Sequence, residues 1–267
     1  MHIVVNGKQR EVDCCTAFEV RTQLGGETDI VIVNGFQIDQ DYSLSENDAL
    51  TIIRKGVIPA AEELENMMMA RHTPAVHKKL KQGRVAIAGL GGLGSNVAVM
   101  LARIGVGQLL LVDFDIVEPS NLNRQSYYIC HLGMEKTLAM QKQLAEINPF
   151  IRVETQTVRV TAGNVVDLFN GYGILCEAFD NPESKAMLVN TALASLPQIT
   201  VVAASGMAGF SSSNRIATTR PMKRLYMCGD CEDAAEPGRG LMAPRVQICA
   251  AHQANMILRL LVGQAEC

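Results

Sequence analysis

The stretch from Arg84 to Asp115 constrains this chain more than any other. Val85-Ala86-Ile87-Ala88 is a near-continuous apolar run, the pattern of a parallel strand covered on both faces. Gly89-Leu90-Gly91-Gly92-Leu93-Gly94 follows at once and opens a helical stretch. Glycines at such a turn let the backbone approach a phosphate, and the helix N-terminus adds unpaired N–H donors and a positive dipole end. A second apolar run, Leu109 to Val112, ends in Asp113, placed to accept hydrogen bonds from ribose hydroxyls. Strand, glycine turn, helix, strand and acid in this order predict a nucleotide-binding α/β unit.

The rest of the chain agrees with that unit. Further strands are predicted at Arg152 to Thr155, Gly173 to Cys176 and Thr200 to Ala203, separated by helical segments that include Met134 to Ile147 and Ser184 to Ala194. Such alternation predicts a doubly wound Rossmann-like α/β sheet. Before residue 58 the grain is shorter. Ile3-Val4-Val5 and Val12 flank an Asn6-Gly7 turn, and a helical stretch from Ala17 to Leu24 ends at Gly25-Gly26. Ile30 to Val33, a second turn at Asn34-Gly35 and a last strand from Ala49 to Ile53 complete the segment. This ββαββ order resembles a small β-grasp, ubiquitin-like module, whose short core would lean on its neighbour. The expected organisation is a β-grasp domain at 1–58, a helical connector at 59–82 with Pro74 opening its second helix, and a catalytic domain at 83–267.

Composition narrows the function. With 48% hydrophobic and 19% charged residues among 267, the chain can bury a proper core, which excludes a disordered linker. A net charge of -3 excludes a dedicated polyanion binder, so no nucleic-acid partner is expected and phosphate binding must be local. Val246 to Val262 is the most apolar stretch, but His252, Gln253, Asn255 and Arg259 interrupt it, and Met1 to Arg10 has no apolar signal region. A soluble cytoplasmic protein with no membrane partner is expected. Of eight cysteines only Cys14-Cys15 and Cys228-Cys231 fall close together, which reads as reduced thiols rather than a disulfide framework.

Downstream of Asp113 a dinucleotide-dependent dehydrogenase becomes a poor fit. Asp115-Ile116-Val117-Glu118-Pro119-Ser120-Asn121-Leu122-Asn123-Arg124-Gln125 is polar where such an enzyme has no use for it. Lys136 follows Gly133 at the head of a helix, and Asp180-Asn181 follows the fourth strand. One Arg, one Lys and one Asp around a glycine turn suit a triphosphate, whose charge calls for cations and whose Mg²⁺ calls for a carboxylate.

At these residues the chain resembles the ThiF/MoeB family, the bacterial relatives of ubiquitin-activating enzymes. The resemblance spans residues 84–263 and rests on the glycine turn, Val112 to Asp115, Ser120 to Gln125, Gly133 with Lys136, Ile147-Asn148-Pro149 and Asp180-Asn181. It implies adenylation of the C-terminal glycine of a ThiS-like β-grasp sulfur carrier, using ATP and Mg²⁺, in thiamine thiazole biosynthesis. By that resemblance Arg124, Lys136 and Asp180 are catalytic, with Lys136 on the α-phosphate and Asp180 holding Mg²⁺. Gly89, Gly91, Gly92, Gly94, Asp113, Asp115, Asn121, Asn123, Gln125 and Asn181 line the nucleotide site. Arg71 is the candidate for an arginine reaching the partner's site in a homodimer, although an ordinary surface arginine reads equally well. The first module resembles ThiS but runs on through Lys55-Gly56-Val57, with no terminal carboxylate to activate. It reads as a non-reactive copy used for docking, dimer contacts or regulation, or as a stabilising appendage.

Cys228-Gly229-Asp230-Cys231 offers two sulfurs where structural zinc takes four ligands, and no second C-x-x-C follows, so zinc is doubtful. An unused loop pair and a reactive thiol stay open, the acids Asp230, Glu232 and Asp233 opposing the second. Other readings of the whole are activating enzymes for a different substrate, such as a tRNA dehydratase or a peptide adenylating enzyme, and a non-catalytic nucleotide-binding regulator.

Overall fold

A computed structural model describes residues 1–267, apart from the side chains of Ala61, Glu62 and Pro74. The chain divides into two compact units, Met1–Lys79 and Leu80–Cys267.

In the first unit β1 (His2–Val5), β2 (Lys8–Glu11), α1 (Ala17–Leu24), β3 (Ile30–Val33), β4 (Phe36–Ile38) and β5 (Ala49–Ile53) precede the helices α2 (Ala61–Met68) and α3 (Pro74–Lys81), the last running into the second unit. The sheet order is β2-β1-β5-β3-β4, with β1 and β5 parallel at its centre. Both hairpins turn on Asn-Gly pairs with positive φ: 47° and 80° at Asn6-Gly7, 51° and 92° at Asn34-Gly35. That is the twist a two-residue hairpin needs. The second turn leads directly into β4, a strand absent from the expected ββαββ order. Its three residues, Phe-Gln-Ile, are too few to show an alternating pattern. Thr16 caps α1 in a reciprocal box with Glu19, and Ala17 and Val20 pack with Ile3, Val5, Val31, Leu50 and Ile52 in a small closed core.

The second unit comprises β6 (Arg84–Ala88), α4 (Gly92–Arg103), β7 (Gln108–Val112), α5 (Lys136–Ile147), β8 (Arg152–Gln156), α6 (Val165–Phe169), β9 (Ile174–Glu177), α7 (Pro182–Ser195), β10 (Thr200–Ala204), β11 (Ala217–Met222), β12 (Leu225–Gly229) and α8 (Ala243–Leu261). Its sheet runs β8-β7-β6-β9-β10-β12-β11, parallel throughout except for β11 at the edge. Alternate strand residues face opposite layers. Ala86, Ala88, Leu110, Val112, Leu175, Val201 and Ala203 pack with Val165, Phe169, Leu188 and Ala192 of α6 and α7. On the other face α4, α5 and α8 cover the sheet and one another, burying Val85, Ile87, Leu109 and Leu111. Each fully buried Val, Leu or Ile contributes on the order of 1.5–3 kcal/mol, so this double-sided core carries the unit. The expected doubly wound sheet after a β-grasp module is the fold found.

The order of strands reverses between β6 and β9, and ligands of such sheets bind outside the strand C-termini at that point. The Cys228-Cys231 pair, open to a loop reading in the sequence, lies only partly in a loop: Met227 to Gly229 end β12, whose partner β11 is the polar edge strand Ala-Thr-Thr-Arg-Pro-Met. Its pairing is irregular between Thr219 and Met222, where Pro221 sits, as an edge strand tolerates. An exposed, polar strand without alternation leaves no pattern to read. Among the described residues no helix is long and apolar enough to cross a membrane.

Candidate nucleotide-binding site

The glycine turn sits at the C-terminal end of β6, and two of its glycines are forced by packing. Gly89 has φ 91°, and a Cβ there would lie 2.8 Å from the Ala178 carbonyl oxygen. A Cβ on Gly94 would overlap the Gly89 carbonyl oxygen, so helix α4 can follow the strand this closely only with glycine. Gly91, at the N-cap of α4, has open space instead: the nearest atom to a built Cβ is Gln125 Nε2 at 3.9 Å. A helix start, whose first N–H groups have no intrahelical partner, thus borders room for a ligand.

Asp113 follows β7 and braces this turn. Its Oδ2 accepts the Leu90 N–H at 2.6 Å and its Oδ1 the Asp115 N–H at 2.8 Å. The Leu90 carbonyl in turn accepts the Tyr127 hydroxyl at 2.9 Å. Burial raises the Tyr127 pKa, with Asp113 and Asp115 adding to it, so this hydroxyl stays a donor.

Residues 118–126 form a polar shelf beside the first turn of α4. Asn121 is buried in a one-turn 3-10 helix, its Oδ1 accepting the Glu118 N–H. Asn96 donates to the carbonyls of Gly92 and Arg124, and Ser126 donates to Asn96 Oδ1 and to Ser95 Oγ. These bonds fix Arg124 and Gln125 against the turn. Arg124 donates from Nη1 to Ser120 O and to Asn123 Oδ1, while its buried Nε and the buried Gln125 Oε1 have no partner among the described residues. Unsatisfied buried groups are costly, and a ligand bound beside the turn would give these two partners. Lys136, the first residue of α5, is 6% exposed and pairs through Nζ with Asp115 Oδ2 at 3.0 Å, the Asp115 side chain itself being half exposed.

Asp180 is exposed just beyond β9, beside the turn, since the loop at Ala178-Phe179 presses on Gly89. Its neighbour Asn181 caps α7, accepting the Ser184 N–H at 2.9 Å. The open space at Gly91, the orphaned Arg124 and Gln125 atoms and the buried cation of Lys136 fit a phosphate-bearing nucleotide. The exposed carboxylate of Asp180 is of the kind that holds Mg²⁺, which is usually bound by one or two carboxylates together with substrate phosphates.

Not every candidate joins this constellation. Arg71 belongs to the first unit, where it donates to Gln37 Oε1 at 2.6 Å. Cys228 is a buried strand residue whose thiol burial pushes up to about 11, and Cys231 is exposed in the loop beyond. Tetrahedral zinc takes four ligands and the pair offers two; among the described residues no three His, Cys, Asp or Glu side chains gather as a metal site. Burial, rather than the acids beside the pair, raises the Cys228 thiol. Asp230 and Asp233 are tied to the buried Arg245, and Asp233 also to Arg239. His252 packs with Nδ1 3.1 Å from Thr218 Oγ1. The sequence gives no sign of Tyr127, Asn96 and Ser126 beyond their nearness to the turn, whereas Ser95 closes the glycine motif itself.

A glycine turn at the switch point, a bracing acid and a polar shelf carrying Arg124 sit where a doubly wound sheet takes its ligand. The ThiF family model matches residues 64–267, and the chain belongs to that family. Residues 1–56 match the ThiS-like ubiquitin model. Among similar proteins, the Saccharomyces cerevisiae adenylyltransferase and sulfurtransferase UBA4 is 32% identical over 193 residues, 69% of this chain and 43% of the relative. A Thermus thermophilus sulfur carrier protein adenylyltransferase is 38% identical over 136 residues, 49% of this chain and 50% of that protein. The chain thus aligns with no more than half the length of these relatives. The Escherichia coli tRNA N6-threonylcarbamoyladenosine dehydratase TcdA, solved in complex with ATP, shares the fold with a TM-score of 0.68 at 22% identity, over 77% of this chain and 97% of that one.

Proposed function

We propose that this chain adenylates the C-terminal glycine of a ThiS-like sulfur carrier with ATP, in support of thiamine thiazole synthesis. The observation that carries the reading is the orphaned, buried pair of Arg124 Nε and Gln125 Oε1 beside the open helix start at Gly91. The relatives named adenylyltransferase and sulfurtransferase UBA4 and sulfur carrier protein adenylyltransferase support the reaction class.

A carboxylate is ionised at neutral pH, so the site needs no general base; it needs alignment and charge neutralisation. Asp113 keeps acceptor capacity for a ribose hydroxyl after its two backbone bonds. Lys136, drawn off Asp115, would neutralise charge at the α-phosphate, and Arg124 the charge on the phosphates beyond it. Asn121, Asn123, Gln125 and Asn181 would shape the pocket around them, and Asp115 would hold Lys136 between turnovers. Asp180 would hold Mg²⁺, which when bound offsets the charge of the departing pyrophosphate. Arg71 would serve the partner's site of a homodimer. The β-grasp module, with no free terminal carboxylate, would act in docking or dimer contacts.

Exchange of labelled pyrophosphate into ATP tests this reading. It should depend on a carrier ending in Gly-Gly and disappear in Asp180→Ala. Exchange that responds to tRNA instead of a carrier would move the chain to another branch of the family.

A further inference from the structure

The middle of the sheet holds a charge that the apolar pattern of its strand does not predict. Ile174-Leu175-Cys176 leads into Glu177, the last residue of β9, which is 1% exposed between β6 and β10. Burying an ionised carboxylate is costly unless it is paired and hydrogen-bonded, and Glu177 is both. It accepts the Phe179 N–H at 2.7 Å and Lys185 Nζ at 2.9 and 3.1 Å, and its own carbonyl accepts Gln253 Nε2 at 2.9 Å. Burial raises the Glu177 pKa, opposed by Lys185 and by the Phe179 and Ala204 N–H groups. Lys185 is a second departure, since a cation near the N-terminus of a helix opposes the dipole unless an anion faces it.

The residues between these two charges carry the proposed metal ligand. We propose that the Glu177–Lys185 pair is a positioning device that sets Asp180 against the glycine turn for a magnesium nucleotide. The inference rests on the nucleotide reading above. Three connections close the short span from β9 into α7: Phe179 N–H to Glu177, Lys185 to Glu177, and Ser184 N–H to Asn181. They leave the Asp180 side chain exposed while its backbone is held on both sides. The same span bears on Gly89, where a built Cβ would meet Ala178 O at 2.8 Å and Phe179 Cδ1 at 3.0 Å. Slack in the pair would therefore move the carboxylate relative to the turn, while the cations at Lys136 and Arg124, on other elements, stay in place.

The test is calorimetric titration of the full chain with ATP, with and without Mg²⁺, for the wild type, Lys185→Arg, Glu177→Gln and the double variant Glu177→Gln/Lys185→Met. The double variant removes both charges together and leaves none buried alone, so it guards against simple loss of folding. In wild type Mg²⁺ should tighten ATP binding. In Glu177→Gln and the double variant the Mg²⁺ needed for that enhancement should rise roughly 10- to 100-fold, as for groups that orient metal ligands. Binding without Mg²⁺ should stay unchanged, and Lys185→Arg should keep the enhancement. A folded double variant with wild-type Mg²⁺ dependence, or equal losses with and without Mg²⁺, would overturn the proposal while leaving the nucleotide reading intact. A wild type that binds no ATP would overturn both.

Discussion

Replacing Lys136 by Met separates the chemistry proposed for this cation from any structural duty it has. The stem of Lys136 is buried and its ammonium pairs, among the described residues, with the half-exposed Asp115, so Met keeps the packing and deletes the charge. A pair with one member this exposed is worth about 0–1 kcal/mol, and Asp115 is left hydrated when its partner goes. The melting temperature should therefore shift by no more than roughly 2–4 °C, the usual response of a unit this size to 1 kcal/mol. Catalysis should respond far more. Loss of one preorganised group that stabilises transition-state charge costs roughly 10²–10³ in kcat, or about 2.7–4 kcal/mol. Pyrophosphate exchange with saturating ATP and carrier, run beside a thermal melt, reads both quantities. Exchange within a factor of two of wild type in a folded Lys136→Met would refute the assignment. A collapse in melting temperature matching the loss of activity would instead make the lysine structural.

The other predictions concern packing, thiols and subunit exchange. Gly94→Ala places a methyl on the Gly89 carbonyl, so differential scanning calorimetry should find the second unit destabilised by at least about 1–3 kcal/mol, whereas the roomier Gly91→Ala should be mild in stability yet weaken ATP binding. Burial raises the thiol pKa of Cys228 to about 11 and of Cys249 to about 12, so at pH 8 both stay protonated. Mass spectrometry after iodoacetamide treatment should find the exposed Cys15, Cys130, Cys231 and Cys267 modified first, with labelling of the buried pair gaining as pH rises; early modification of Cys228 would count against its burial. If Arg71 serves a neighbouring subunit, mixing inactive Arg71→Ala with inactive Lys136→Met should restore roughly a quarter of wild-type exchange by random reassortment, and no recovery would confine Arg71 to its bond with Gln37.

What could be read from the sequence follows from which forces leave local marks. The strands β6, β7, β9 and β10 are buried on both faces, so they are written as apolar runs. Both Asn-Gly turns have the positive φ values that residue pair favours. The edge strands β4 and β11 escaped because an edge needs neither length nor alternation. At the site, Asp113, Arg124, Lys136 and Asp180 were legible as charges at motif spacing. Their supports were not. Tyr127, Asn96 and Ser126 act through hydrogen bonds across loops, and the Glu177–Lys185 pair becomes visible only when β9 and α7 are folded together. The Cys228-Cys231 pair showed the reverse problem: nearness in sequence placed one sulfur in a strand and the other at the surface.

The most direct test of the central claim is carrier-dependent incorporation of labelled pyrophosphate into ATP by the full chain. The account predicts exchange that requires Mg²⁺, saturates with a ThiS-type carrier ending in Gly-Gly, and vanishes when the final glycine is removed. Absence of exchange with any such carrier, from protein that binds ATP and Mg²⁺ normally, would contradict it.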